Sequence, residues 1–267
     1  MIFSKSNDTF LIPKTYKLTP TYMTHIFANW KMYLNFSESM ILANQLATES
    51  YDTEKIHLGI FPSSLAFTEV EKLYRDTEVA VGAQNVAWTP KGAYTGAVSA
   101  HMFRNAGATY ALVGHSERRH VFGETNEDVK KKFDACLDAG LIPILCIGET
   151  KEDLEAGKRE YRLKKQLMSV LEGVSKDATF FVAYEPVWAI GTGEACDHLQ
   201  AAEIHDSIKK ELNTYTVQPI PVLYGGSVNH ENVVFYLPHQ SIDGFLIGSA
   251  SADRDHLISL LNAVVAA

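Results

Sequence analysis

Short apolar runs and longer stretches of helical period alternate eight times along this chain, and few folds can absorb that pattern. The runs lie at 26–31, 57–62, 79–85, 110–116, 142–150, 179–186, 221–227 and 244–250, and each closes on Gly or polar residues. Their length and their Val, Ile and Phe content predict buried strands. Between them, 37–50, 63–76, 99–107, 126–140, 158–173, 199–213, 231–239 and 255–266 carry the period of amphipathic helices. Thr125 with Asp128 marks a helix start, and Gly107, Gly140 and Gly173 stand where helices end. Alternating strands and helices give a parallel sheet, and eight units argue for closing it into a barrel rather than leaving it open and doubly wound. The expected fold is α/β, a single (β/α)8 barrel with a parallel eight-stranded core.

A chain of 267 residues with 46% hydrophobic content suits one such domain, and no Pro- or Ser-rich linker divides it. The domain is expected at 25–267. Residues 1–24 read as an N-terminal appendage, because they mix Ser, Thr, Lys and isolated apolar residues without the apolar core of a signal peptide. Met23 is an alternative start that the sequence leaves open. A formal net charge of -8 removes the basic footprint that nucleic acid or an anionic membrane needs, and no apolar stretch is long enough to span a bilayer. Neither is an expected partner, and an anionic ligand must be held by local groups. Cys136, Cys146 and Cys196 form no CxxC pair and leave one thiol over in any disulfide scheme, which suits a cytoplasmic protein. Cys146 sits in an apolar run and reads as core.

In a barrel of this kind chemistry gathers at the C-terminal ends of the strands, and here those ends are polar. Asn29 and Lys31 share one face of the first run while Trp30 points the other way, so both face the barrel mouth if Trp30 packs under the helices. A solvated strand end is the plainer alternative. The fourth run ends Gly114-His115-Ser116-Glu117-Arg118-Arg119, where His115 is either structural or a partner of Lys31 in the same mouth. The sixth ends Ala183-Tyr184-Glu185-Pro186; a carboxylate there is paired or held for a purpose, and desolvation is expected to raise its pKa toward that of a general base. Pro186, Val187, Trp188, Ala189, Ile190, Gly191, Thr192 and Gly193 follow. Their apolar middle between Pro186 and Gly191 reads either as a loop packed permanently on the body or as a closing lid. Tyr224-Gly225-Gly226-Ser227 and Gly248-Ser249-Ala250 end the last two runs, where loops of such barrels habitually hold phosphate through backbone N–H groups. There is no HExxH, no Walker glycine loop, no GxGxxG after a strand and no cluster at metal-ligand spacing, so neither cofactor nor metal is expected.

Asn29-Trp30-Lys31, the 114–119 run, the 183–193 run and Tyr224-Gly225-Gly226-Ser227 together resemble the triosephosphate isomerase family, in the same order from about Ile26 to Ala266. The resemblance implies a TIM barrel that interconverts dihydroxyacetone phosphate and D-glyceraldehyde 3-phosphate through an enediol or enediolate. It implies Glu185 as general base, His115 as the neutral imidazole that polarises the carbonyl, Lys31 as fixed cation and Asn29 as supporting donor. Backbone groups of Gly191, Ser227, Gly248 and Ser249 match those that bind phosphate, and 186–193 matches a lid. The loop from Gln84 to Gly96, with Trp88 and Tyr94, matches one that docks into a second subunit, which implies a homodimer; an intrachain latch is the alternative.

This chain departs from the family's usual pattern where Ala97 stands for a glutamate after Thr95-Gly96, where Ser249 stands for a second glycine, and where Glu194-Ala195-Cys196 replaces Lys-Thr-Ala. Ala97 is expected to deprive Lys31 of a carboxylate partner. Two other functions therefore stand beside the first: a paralogue acting on a larger ketose phosphate such as a tetrulose phosphate, and a catalytically silent barrel kept for binding or assembly.

Overall fold

The structure, a computed structural model, describes residues 23–189 and 195–267. Eight strands, β1 (Thr24–Asn29), β2 (Ile56–Phe61), β3 (Ala80–Ala83), β4 (Tyr110–Val113), β5 (Ile142–Ile147), β6 (Phe181–Tyr184), β7 (Val222–Tyr224) and β8 (Gly244–Ile247), pair in parallel and in chain order, and β1 closes the barrel against β8. Thr24 already pairs with Ile56, so β1 begins one residue ahead of the expected domain start; 1–22 of the expected appendage lie outside the described residues. Most of the strands stop short of the apolar runs that announced them. The polar ends of those runs therefore belong to loops, where side chains can turn into the barrel mouth.

The helices are α1 (Phe36–Ala47), α2 (Phe67–Tyr74), α3 (Ala100–Asn105), α4 (Ser116–His120), α5 (Asn126–Ala139), α6 (Lys151–Glu155), α7 (Arg159–Leu171), α8 (His198–Leu212), α9 (Val233–Tyr236) and α10 (Arg254–Ala266). Thr125 and Asp128 form a reciprocal capping box at the start of α5, and Gly140 ends it in the left-handed conformation at φ 74°. The five-residue helices α4 and α6 carry no periodic stripe long enough to stand out in sequence, so they were not among the expected elements.

Strand side chains alternate, and the apolar core accordingly has two layers. Phe27, Phe61, Tyr110, Leu112, Ile144, Cys146, Phe181 and Leu223 fill the barrel interior. Ile26, Ala28, Trp30, Val113 and Val182 face the helices, where Phe67, Phe133, Leu167 and Leu260 meet them. Trp30 is buried, as the mouth-facing reading of Asn29 and Lys31 requires. Near the N-terminal end of the barrel, His57 Nε2 shares a hydrogen bond of 2.9 Å with the Tyr110 hydroxyl, and the His25 and His57 rings meet edge to face at 5.4 Å. Burial drives the His57 imidazole down to about 4, although Glu78 pulls it back upward.

Candidate active site

Lys31 leaves β1 with φ 50°, the left-handed region that side-chain-bearing residues seldom enter. Three contacts hold it there. Its N–H donates to Asn29 Oδ1 at 3.0 Å, its carbonyl accepts from Gln84 Nε2 at 2.8 Å, and its ammonium donates to Glu117 Oε1 at 2.6 Å. Gln84 ties the same turn to β2 by a second bond, to the Phe61 carbonyl at 2.9 Å.

His115 caps α4 and is buried; its Nδ1 accepts from the Glu117 N–H at 3.2 Å. A ring nitrogen that accepts carries no proton, so the ring proton sits on Nε2, the atom that faces Glu185 Oε1 at 3.0 Å. The second oxygen of Glu185 accepts from the Ser116 N–H at 2.8 Å. One carboxylate is thereby held by two neighbours on the loop after β4.

The expectation that burial raises the Glu185 pKa is corrected by these neighbours. Burial does push the carboxyl up, but His115, the Ser116 N–H and the Lys31 ammonium together outweigh it and hold the group below its ordinary value. Glu185 is an ionised carboxylate in a dry site, with donors arranged around it.

Asn29, Lys31, His115, Glu185, Ser227, Gly248 and Ser249 converge on one cavity of about 200 Å³. Gly225 and Gly226 form part of its wall, and a Cβ on residue 225 would stand 3.0 Å from Glu185 Cγ. Gly248 allows Lys31 close approach, since a Cβ there would meet Cε at 3.2 Å. The chain enters a 3-10 turn at Ser249–Ala252, and the leading amides of such a turn lack partners within it.

Beside Glu185, Pro186 is buried and Val187–Ala189 forms a single 3-10 turn. Trp188 is half-buried, and its indole N–H donates to Glu149 Oε1 at 2.9 Å. The same oxygen accepts from the Tyr184 hydroxyl at 3.0 Å and from Arg159 Nε at 3.1 Å. Ile190, Gly191, Thr192 and Gly193 lie outside the described residues.

Position 97 does not bear on this cavity in the way the sequence suggested. Ala97 is exposed and lines an adjoining groove of about 520 Å³ that Asn29, Lys31 and His115 also line, but the carboxylate beside Lys31 comes from Glu117. Trp88 and Tyr94 line that groove as well and remain 38% and 53% exposed. Glu117, Ser116 and Gln84 are functional neighbours that sequence reasoning passed over. Only the polar run after His115 hinted at the first two.

The family model described as triosephosphate isomerase matches residues 24–264. The triosephosphate isomerase of Dictyoglomus thermophilum is 41% identical over 232 residues, 85% of this chain and 93% of the relative. That of Francisella philomiragia is 38% identical over 242 residues, covering 89% and 95% of the two chains. That of Aquifex aeolicus is 38% identical over 240 residues, covering 88% and 97%. With a closed parallel barrel, a carboxylate, an imidazole and an ammonium at one mouth, and relatives matched almost end to end, the chain belongs to the triosephosphate isomerase family.

Proposed function

We propose that this enzyme interconverts dihydroxyacetone phosphate and D-glyceraldehyde 3-phosphate by moving one proton between adjacent carbons, with Glu185 as the base. The observation that carries the reading is the convergence of Glu185, the protonated Nε2 of His115 and the Lys31 ammonium on a single small cavity. The carboxylate takes a proton from the carbon beside the carbonyl. The C–H electron pair becomes the C=C bond of an enediolate, and the carbonyl oxygen takes up the negative charge. That oxygen is stabilised by His115 Nε2–H and by Lys31, donors already in place before the charge develops. Returning the proton to the other carbon, with His115 exchanging the oxygen-bound proton, completes an isomerisation that is redox-neutral and calls for no cofactor.

Glu185 rests on His115 and the Ser116 N–H, so a substrate carbonyl arriving at Nε2 displaces the carboxylate from the ring and frees it for carbon. Asn29 supports Lys31. Backbone groups of Ser227, Gly248, Ser249 and Gly191 take the phosphate, and 186–193 acts as the lid that keeps water from the enediolate. The exposed Trp88 and Tyr94 support a homodimer joined through the 84–96 loop. Three buried free thiols support a cytoplasmic location. Among the described residues no helix is long and apolar enough to cross a membrane.

The experiment is Glu185→Gln. It removes the base and leaves the glycine walls untouched, so kcat should fall by roughly a thousandfold while inorganic phosphate inhibits as before. Turnover kept within about tenfold of the parent would contradict the assignment.

A further inference from the structure

The guanidinium of Arg119, on α4, donates to three neutral acceptors on three different parts of the fold. Nε bonds the Gly114 carbonyl at 2.6 Å, Nη2 the Cys146 carbonyl at 3.2 Å, and Nη1 the Asn126 Oδ1 at 2.7 Å. Gly114 follows β4 directly, Cys146 is next to last in β5, and Asn126 opens α5. A guanidinium is planar and its N–H directions are fixed, so these bonds set the spacing of the two strand ends as well as joining them. Arg119 is partly buried, and the backbone adds a further tie, its N–H donating to the His115 carbonyl at 3.1 Å.

Each of the two carbonyls stands one residue ahead of a contact that the reaction uses. Gly114 takes the left-handed conformation at φ 71°, and a Cβ on it would lie 2.7 Å from Arg119 Nη2 and 2.9 Å from Val129. The turn is therefore moulded against the guanidinium, and His115 leaves it toward Glu185, with Nε2 3.0 Å from Oε1. On the other strand, Cys146 is followed by Ile147, whose carbonyl accepts from the Glu185 N–H at 2.7 Å. One rigid group thus reaches the imidazole through β4 and the carboxylate through β5. The two must work on adjacent atoms of one substrate, the carbonyl oxygen and the neighbouring carbon, so their separation has a narrow tolerance.

We infer that Arg119 is a positioning residue for proton transfer: its planar fork fixes the end of β4 against the end of β5 and so sets how His115 and the Glu185 carboxylate face each other. It touches no substrate itself. Positive charge alone does not supply this, because an ammonium has no fork to span two carbonyls. The inference rests on the reading of Glu185 as base and His115 as electrophile, which Glu185→Gln tests separately.

Arg119→Lys keeps the charge and removes the fork. kcat for the triose phosphate should fall at least about tenfold, since misplacing a reacting group by a fraction of an ångström is enough for that. KM and the inhibition constant of inorganic phosphate should stay within about twofold, because the backbone groups proposed to hold phosphate lie on the loops after β7 and β8. In a His115→Gln background, which has no imidazole left to aim, the same substitution should cost less than about threefold. A merely structural role predicts a lower Tm with kcat unchanged, and that result overturns the proposal; so does a loss repeated in full in the His115→Gln background. If Arg119→Lys does not fold, Asn126→Ala removes the third anchor of the fork and should lower kcat severalfold at constant KM; an unchanged kcat there overturns the inference equally. Full activity in Arg119→Lys beside a dead Glu185→Gln overturns the inference and leaves the reading of the base standing, whereas an active Glu185→Gln overturns both.

Discussion

Lys31 sits in a backbone region that costs a residue with a Cβ on the order of 1–2 kcal/mol, and it is kept there by Asn29, Gln84 and Glu117. Its ammonium thus already has a carboxylate acceptor. Ala97→Glu should accordingly leave kcat/KM for both triose and tetrulose phosphates within about twofold, because Glu117 already fills the acceptor place at Lys31. Steady-state constants check this, and a several-fold gain would mean that a second carboxylate reaches Lys31. Glu185 makes a separate statement. Its carboxyl is held below the ordinary range, so it is charged at every pH near neutrality and protonates only under acid conditions. An acid limb of kcat/KM near pH 6 then belongs to the second ionisation of the substrate's phosphate, which titrates at about that pH. Profiles corrected for substrate ionisation should show no inflection above about pH 5, and one that persisted would contradict the environment described for Glu185.

The base is held less by its own strand than by the element next to it. Glu185 N–H donates to the Ile147 carbonyl at 2.7 Å, and the Glu185 carbonyl presses so closely on Gly148 that a Cβ there would lie 1.8 Å from its oxygen. Gln166 on α7 grips Gly148 from behind, accepting from its N–H at 2.8 Å and donating to its carbonyl at 3.1 Å. Gly148→Ala must push the loop after β5 away from the loop after β6. A displacement near 1 Å is worth about a hundredfold in rate, so kcat should drop by at least that factor in any protein that still folds, as kinetics beside circular dichroism will show. The strand and helix order was legible because each element announces itself locally, by its apolar run or its cap. The site was legible only in part. His115 and Glu185 stand out as polar residues at the ends of apolar runs, but the acceptor for Lys31 lies 86 residues away, and nothing near Lys31 points to it. Gln166 reads as one more polar residue on a helix, and its burial exists only once α7 is laid against β5. Ala97 was tied to Lys31 for the same reason in reverse: a loop's sequence does not reveal that Glu117, far along the chain, already fills the acceptor place at Lys31.

The whole molecule inherits two further expectations from its surfaces and its interior. The groove beside Lys31 is walled by Trp88, Tyr94, Val98 and Phe122, with Met32 96% exposed at its edge, an apolar area that a second copy can cover. Sedimentation at micromolar concentration should show a dimer, and a single species near 29.6 kDa would contradict it. Inside, burial lowers His57 to about 4 and His205 to about 3 from an ordinary 6.5. Both bind protons less readily folded than unfolded, so their contribution to stability is complete above pH 6.5 and is lost as the pH falls toward their folded values. At pH 5 each has given up about 2 kcal/mol, and the pair about 4. Urea midpoints at pH 7.5 and 5.0 should differ accordingly, with His205→Gln reducing the slope; equal midpoints would refute the burial argument. Along the inner face of β1, His25, Phe27 and Asn29 follow one another, so the His25–His57 pair stands about 13 Å along the strand from Asn29 at the mouth, with a layer of aromatic side chains between, while His205 lies apart on α8 against the Tyr184 and Tyr224 rings. Heritable change can therefore work on the two rims in turn: a lineage moving to a more acidic habitat can exchange the histidines at one rim while the chemistry at the other is inherited intact.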